Sequence, residues 1–133
     1  MGRLQLTALI ASAIGVLVSV YLTVLHYAGT APGCPVTSTI NCEAVLSSPY
    51  AVLLGTSLPT SAAGIVWFAY STFLWTRRFG LVQLVWSALG MIAALYLVFL
   101  EIVKLGAICL WCTGAHVLVL VIFLIAVTLR GRD

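Results

Sequence analysis

Charge is what this chain has least of. Its 133 residues include six lysines and arginines and three acids, so only 7% carry a charge. Soluble domains carry about 25%, and a surface this poor in charge does not suit water. With 63% hydrophobic residues and a mean hydropathy of +1.22, the chain reads as an integral membrane protein. Its net charge of +3 rests on few, scattered cations, which argues against a nucleic-acid surface. Internal repeats and low-complexity tracts are lacking. Proline is scarce, and all four, Pro32, Pro35, Pro49 and Pro59, fall between the first two apolar runs.

A membrane helix needs about 20 mostly apolar residues. The sequence offers four candidate spans, at about 4–28, 60–76, 81–103 and 108–129, within one membrane domain covering 1–133. The first has Arg3 as a basic flank, as a signal peptide does, but its apolar stretch exceeds the roughly 7–15 residues of a signal core. An uncleaved span is expected, with His26 and Tyr27 as interfacial anchors. Ser61-Ala62-Ala63-Gly64 gives the second run small residues suited to close helix packing. The expected fold is all-α, a four-helix transmembrane bundle.

Four spans put both termini on one side. Arg3, Arg77, Arg78, Arg130 and Arg132 then share that side, and only Lys104 falls opposite. The positive-inside bias makes the arginine side cytoplasmic. The long connection 29–59 therefore faces outward as an exoplasmic cap. Asn41-Cys42-Glu43 carries an N-cap and an acid in the first turn, so a short helix is expected to begin there.

This topology gathers all four cysteines, Cys34, Cys42, Cys109 and Cys112, at the exoplasmic face. Cys109-Leu110-Trp111-Cys112 opens the fourth run. There a helix N-terminus favours a thiolate, and a disulfide can close across one turn. Two cysteine pairs at one face suit electron transfer by thiol–disulfide exchange. His116, four residues beyond Cys112, shares its helix face. From water inward that face reads Cys109, Cys112, His116, where a lipid-soluble electron acceptor can meet it.

These features together resemble the vitamin K epoxide reductase family, in its short prokaryotic form. The likeness rests on four spans, a long outer loop after the first and a C-x-x-C opening the fourth. Loop cysteines eight apart, Cys42-Glu43-Ala44-Val45-Leu46-Ser47-Ser48 and the segment from Gly55 to Gly64 add to it. The resemblance implies a relay. Cys34 exchanges with a thioredoxin-like exported partner, Cys42 attacks Cys109, and Cys112 passes electrons to a quinone of the menaquinone, ubiquinone or vitamin K type. Such a relay supports disulfide formation in exported proteins, or runs as vitamin K quinone or epoxide reduction. The family pattern also points to Ser48, Thr60 and His116 as quinone-binding candidates, and Trp111 joins them by its place inside the C-x-x-C. Mammalian members carry an asparagine near Thr60 and a tyrosine near His116, so the head group recognised here need not be theirs. No thioredoxin domain is expected after Asp133, and a separate partner is.

Simpler readings stand beside these. The cysteines can form two structural disulfides, although Cys109–Cys112 closes a loop too small to stabilise much. A four-cysteine zinc site fits poorly with an eight-residue loop spacing, and no metal is expected. Ser48 can be a helix-end cap. Trp67, Trp75 and Trp86 read as belt or packing residues. Glu101 and Lys104, one turn apart, read as a local ion pair.

Overall fold

The computed structural model describes residues 2–29, 40, 59–77, 80–106 and 108–131. Within them the protein is all-helical, with four helices and no strand. Helix α1 spans Arg3–Ala28, α2 Thr60–Trp75, α3 Leu81–Phe99 and α4 Leu110–Gly131. Helix α3 runs on into a π-helical turn, Leu100–Leu105. The runs stay helical because no proline interrupts them. Gly29 and Gly106, at φ 72° and 63°, adopt the left-handed backbone that stops α1 and the π turn.

Three helices are long and apolar enough to cross a membrane: α1, α3 with its π turn, and α4. Helix α2 has 16 residues, roughly 24 Å at 1.5 Å per residue. That is short of a hydrocarbon core of about 30 Å. A multi-pass membrane protein follows from the three long helices; a fourth crossing does not follow from length alone.

Packing is arranged for lipid. On α1 and α3, large apolar side chains such as Leu17 and Ile92 point outward, while mostly small or polar ones point inward. Helix α1 buries Ala8, Ala11, Ser12, Gly15 and Ser19 in a helical stripe, and α3 buries Gln83, Ser87, Gly90 and Ala94. Lipid tails give helices little hydrophobic reason to associate, so close backbone approach and hydrogen bonds must hold them. At Gly15 an added Cβ would collide with the Phe68 ring, and at Gly90 with Trp67. The buried Ser12 and Ser71 hydroxyls bond at 2.9 Å between α1 and α2. Trp67 and Trp86 stack at 6.0 Å, and each indole N–H donates to the other's backbone carbonyl.

The end of the bundle holding the N-terminus is tied by glutamines. Gln5 donates to the Trp75 carbonyl, and Gln83 to those of Leu74 and Arg77, satisfying the C-terminus of α2. A cavity of about 440 Å³ opens here, with Arg3, Arg77 and Arg130 among its lining residues. It is separated from the cysteine pair by the length of α4, so the pair lies at the opposite end.

Candidate active site

Helix α4 begins at the cysteine pair. The Cys109 carbonyl accepts the first helical hydrogen bond from Thr113 N–H at 2.9 Å and a second from the Thr113 hydroxyl at 2.8 Å. Cys109 therefore stands where a helix takes its N-cap. Its Sγ accepts the Cys112 backbone N–H at 3.4 Å, in the manner of a capping serine or aspartate. Both cysteines are free thiols; Cys109 is fully buried and Cys112 half-buried.

Cys109 precedes the α4 span, and its thiol is held below the ordinary value. The largest cause is a hydrogen bond from the Cys112 thiol, which favours a thiolate acceptor. Burial opposes it, the Cys112 and Trp111 backbone N–H groups add to it, and the charge of Glu101 opposes it. The arrangement can stabilise a thiolate on the first sulfur of the motif while the second keeps its proton.

Glu101 is the functional candidate that sequence reasoning missed. Its expected ion pair with Lys104 is absent: Glu101 is 6% exposed, while Lys104 is exposed on the outside. The π turn is the reason. A wider turn takes residues three apart out of line, so the α-helical neighbour rule fails here. Glu101 instead lies buried at the end of its helix, where the Gly106 N–H donates to its backbone carbonyl. A signal did exist. Glu101 lies eleven residues, about three turns, beyond the buried Gly90, on the inward stripe of α3.

The other candidates distribute as follows. Trp111 packs against Tyr21 near the end of α1, with ring centroids 4.9 Å apart. Thr60 opens α2, whose next residue, Ser61, accepts a hydrogen bond from Thr23 at 2.8 Å. Tyr21 and Thr23 are neighbours on α1, so Thr60 and Trp111 lie at the same end of the bundle. His116 is half-buried one turn below Cys112, and its Nδ1 is buried without a hydrogen-bond partner among the described residues. Ile40 forms a parallel bridge with Ile108, the residue before Cys109. Cys34, Cys42, Ser48 and the expected loop helix lie outside the described residues. Among the described residues no group of three or more His, Cys, Asp or Glu side chains is placed to hold a metal ion.

The family model described as "Vitamin K epoxide reductase family" matches residues 6–127. The chain belongs to the vitamin K epoxide reductase family. Membership supports, at the level of the family, a membrane thiol–disulfide oxidoreductase or quinone reductase. No curated protein matches the sequence. The match runs through all four helices, so the membrane bundle and the C-x-x-C at the head of α4 both lie inside the family region.

Proposed function

We propose that this family member is a quinone-dependent thiol oxidase that drives disulfide formation in exported proteins. A thioredoxin-like partner gives two electrons to the Cys34–Cys42 disulfide and is itself oxidised to a disulfide. The Cys42 thiolate attacks Cys109 of a Cys109–Cys112 disulfide and expels Cys112 as a thiolate. Cys34 then attacks Cys42, which restores the loop disulfide and leaves Cys109 and Cys112 reduced. Oxidation of that dithiol by a quinone moves two electrons and two protons, giving the quinol and closing the cycle.

The observation that carries this reading is the bridge between Ile40 and Ile108. It brings loop backbone two residues before Cys42 beside backbone one residue before Cys109. Paired strands run about 4.8 Å apart and each residue of chain adds at most roughly 3.6 Å, so both cysteines are within short chain reach of the bridge. The quinone is assigned to the end where Trp111, Thr60 and His116 lie, with Ser48 completing the pocket from the loop. The unpartnered His116 Nδ1 supports that assignment, because a buried polar atom calls for a hydrogen-bond partner that a quinone carbonyl or hydroxyl can provide. Which quinone serves is left to competition among menaquinone, ubiquinone and vitamin K type acceptors.

The proposal includes a fourth crossing by α2, with both termini cytoplasmic and the cysteines exoplasmic. Arg3, Arg77 and Arg130 lining one cavity at the far end support this orientation by the positive-inside bias. A membrane-impermeant thiol reagent should label Cys34 in intact, reduced cells; labelling only after lysis reverses the orientation. The decisive experiment follows quinone reduction by purified protein with a dithiol or thioredoxin-fold donor. Dithiol consumption that ignores added quinone would defeat the oxidase reading and favour structural disulfides.

A further inference from the structure

The cavity of about 440 Å³ at the N-terminal end of the bundle draws its wall from the starts of α1 and α3 and the ends of α2 and α4. Its volume is that of a small-ligand site, about 300–1,000 Å³. Helices α1, α3 and α4 are long enough to cross a membrane, so the end they share lies at the depth of lipid headgroups. Three arginines meet there. Arg3 is the first residue of α1, and Arg77 follows α2 with its guanidinium 5.9 Å from the Phe73 ring centroid. Arg130 suits the last turn of its own helix, yet it also stands against the start of α3, where a Cβ on Gly80 would lie 3.6 Å from its Nη1.

A cation is the wrong sign for a helix start. Both starts at this cavity have a glycine cap, Gly2 and Gly80, with no side-chain cap and no acid in the first turn. At the C-terminus of α2, the Gln5 and Gln83 side chains already bond the Leu74, Trp75 and Arg77 carbonyls. No acid lines the cavity among the described residues.

We propose that this cavity binds the phosphate of an anionic phospholipid, held by Arg3, Arg77 and Arg130 with the first amides of α1 and α3 behind them. A phosphate relieves the repulsion among these like charges and accepts from several donors at once. Basic pockets between membrane helices take lipid headgroups in this way. The apolar part of the wall, Leu4, Ala126 and Leu129, favours a lipid over a free phosphate, because it offers a surface to the glycerol and first acyl carbons. The site stands independently of the redox proposal and lies at the other end of the molecule.

The test follows the thermal midpoint of the full chain in neutral detergent, with retained lipid counted by native mass spectrometry. Phosphatidylglycerol should raise the midpoint, and zwitterionic phosphatidylcholine or inorganic phosphate should not. Arg77→Gln and Arg130→Gln should each weaken the apparent lipid affinity roughly fivefold. Lys104→Gln, which removes an exposed charge at the far end, should leave it unchanged. Gly2→Asp puts a carboxylate where the phosphate is expected. Its Cβ meets nothing within 4 Å, and aspartate caps a helix at least as well as glycine, so the lipid-free midpoint should hold while the lipid shift is lost. A shift that phosphatidylcholine matches, that survives undiminished in Gly2→Asp and Arg130→Gln, or that falls as much in Lys104→Gln overturns the site. An equal shift from inorganic phosphate overturns the lipid as its occupant.

Discussion

The Cys112 backbone N–H points at the Cys109 sulfur across 3.4 Å, which makes Cys109 the cap of the helix that carries its own redox partner. A cap satisfies one of the unpaired amides at a helix start. Here it also fixes the first sulfur of the motif against the backbone of the second. An N-terminal thiolate is a good leaving group in thiol–disulfide exchange, which suits Cys109 to the proposed step in which Cys34 expels it from its mixed disulfide with Cys42.

Trapping tests the order of the relay. In Cys112→Ser, Cys109 has no local partner and remains open to Cys42. A Cys42–Cys109 disulfide should accumulate, Cys34 should stay free, and quinone reduction should be abolished. Mass spectrometry of non-reduced peptides reads the pairing. Accumulation of Cys34–Cys109 would exchange the roles of the two loop cysteines.

The pH dependence of Cys109 has a definite sign. Its thiol is held below the ordinary value, first by the Cys112 thiol. Alkylation tracks the thiolate, so its rate should reach a plateau at a lower pH than for a free cysteine of pKa about 8.5. Cys112→Ala removes the leading cause while burial and the Glu101 charge remain, and the midpoint should move up. A midpoint unmoved by Cys112→Ala would mean that the capping amides, rather than the neighbouring thiol, hold the thiolate.

His116 is expected to hold the quinone. His116→Ala should raise the quinone KM roughly 2- to 12-fold, the value of one hydrogen bond of about 0.5–1.5 kcal/mol. The thermal midpoint should change little, because Nδ1 has no partner among the described residues to lose. Kinetics that stay unchanged across several quinones would return His116 to a packing role.

Close approach of α1 to α2 depends on Gly15. A side chain there collides with Phe68, so Gly15→Leu should destabilise the bundle by about 2–3 kcal/mol. The better helix propensity of leucine, worth under about 1 kcal/mol, does not offset this. Phe68→Ala in the same chain should recover part of the loss, which a double-mutant cycle on the detergent-solubilised protein can measure. Additive losses would show that the two residues do not meet.

The helices and the family were legible in the sequence because both are written locally: unbroken apolar runs, and cysteines with their neighbouring motifs. Two things were not. The second run, expected over 60–76, is helical over Thr60–Trp75, but hydropathy alone does not say whether a helix of that length crosses. Glu101 was assigned to Lys104 on an α-helical neighbour rule. Only the π turn, a backbone feature with no clear residue signature, takes that neighbour away and leaves the carboxyl buried. The sequence around Cys34, Cys42 and Ser48 carries the resemblance, while their places in space lie outside the described residues.

If α2 crosses the membrane as proposed, its shortness makes bilayer thickness a variable of the proposed chemistry. Helix α1, at 26 residues, is roughly 39 Å long against roughly 24 Å for α2. A bilayer beside α2 must thin, or the helix must sit with one end below the headgroups, at a cost of fractions of a kcal/mol per ångström of mismatch. With Gln5 and Gln83 fastening its other end, the end left low is the one that opens at Thr60. On the proposed crossing, acyl chains would reach the cysteine end from the side, and access of the proposed quinone would vary with bilayer thickness.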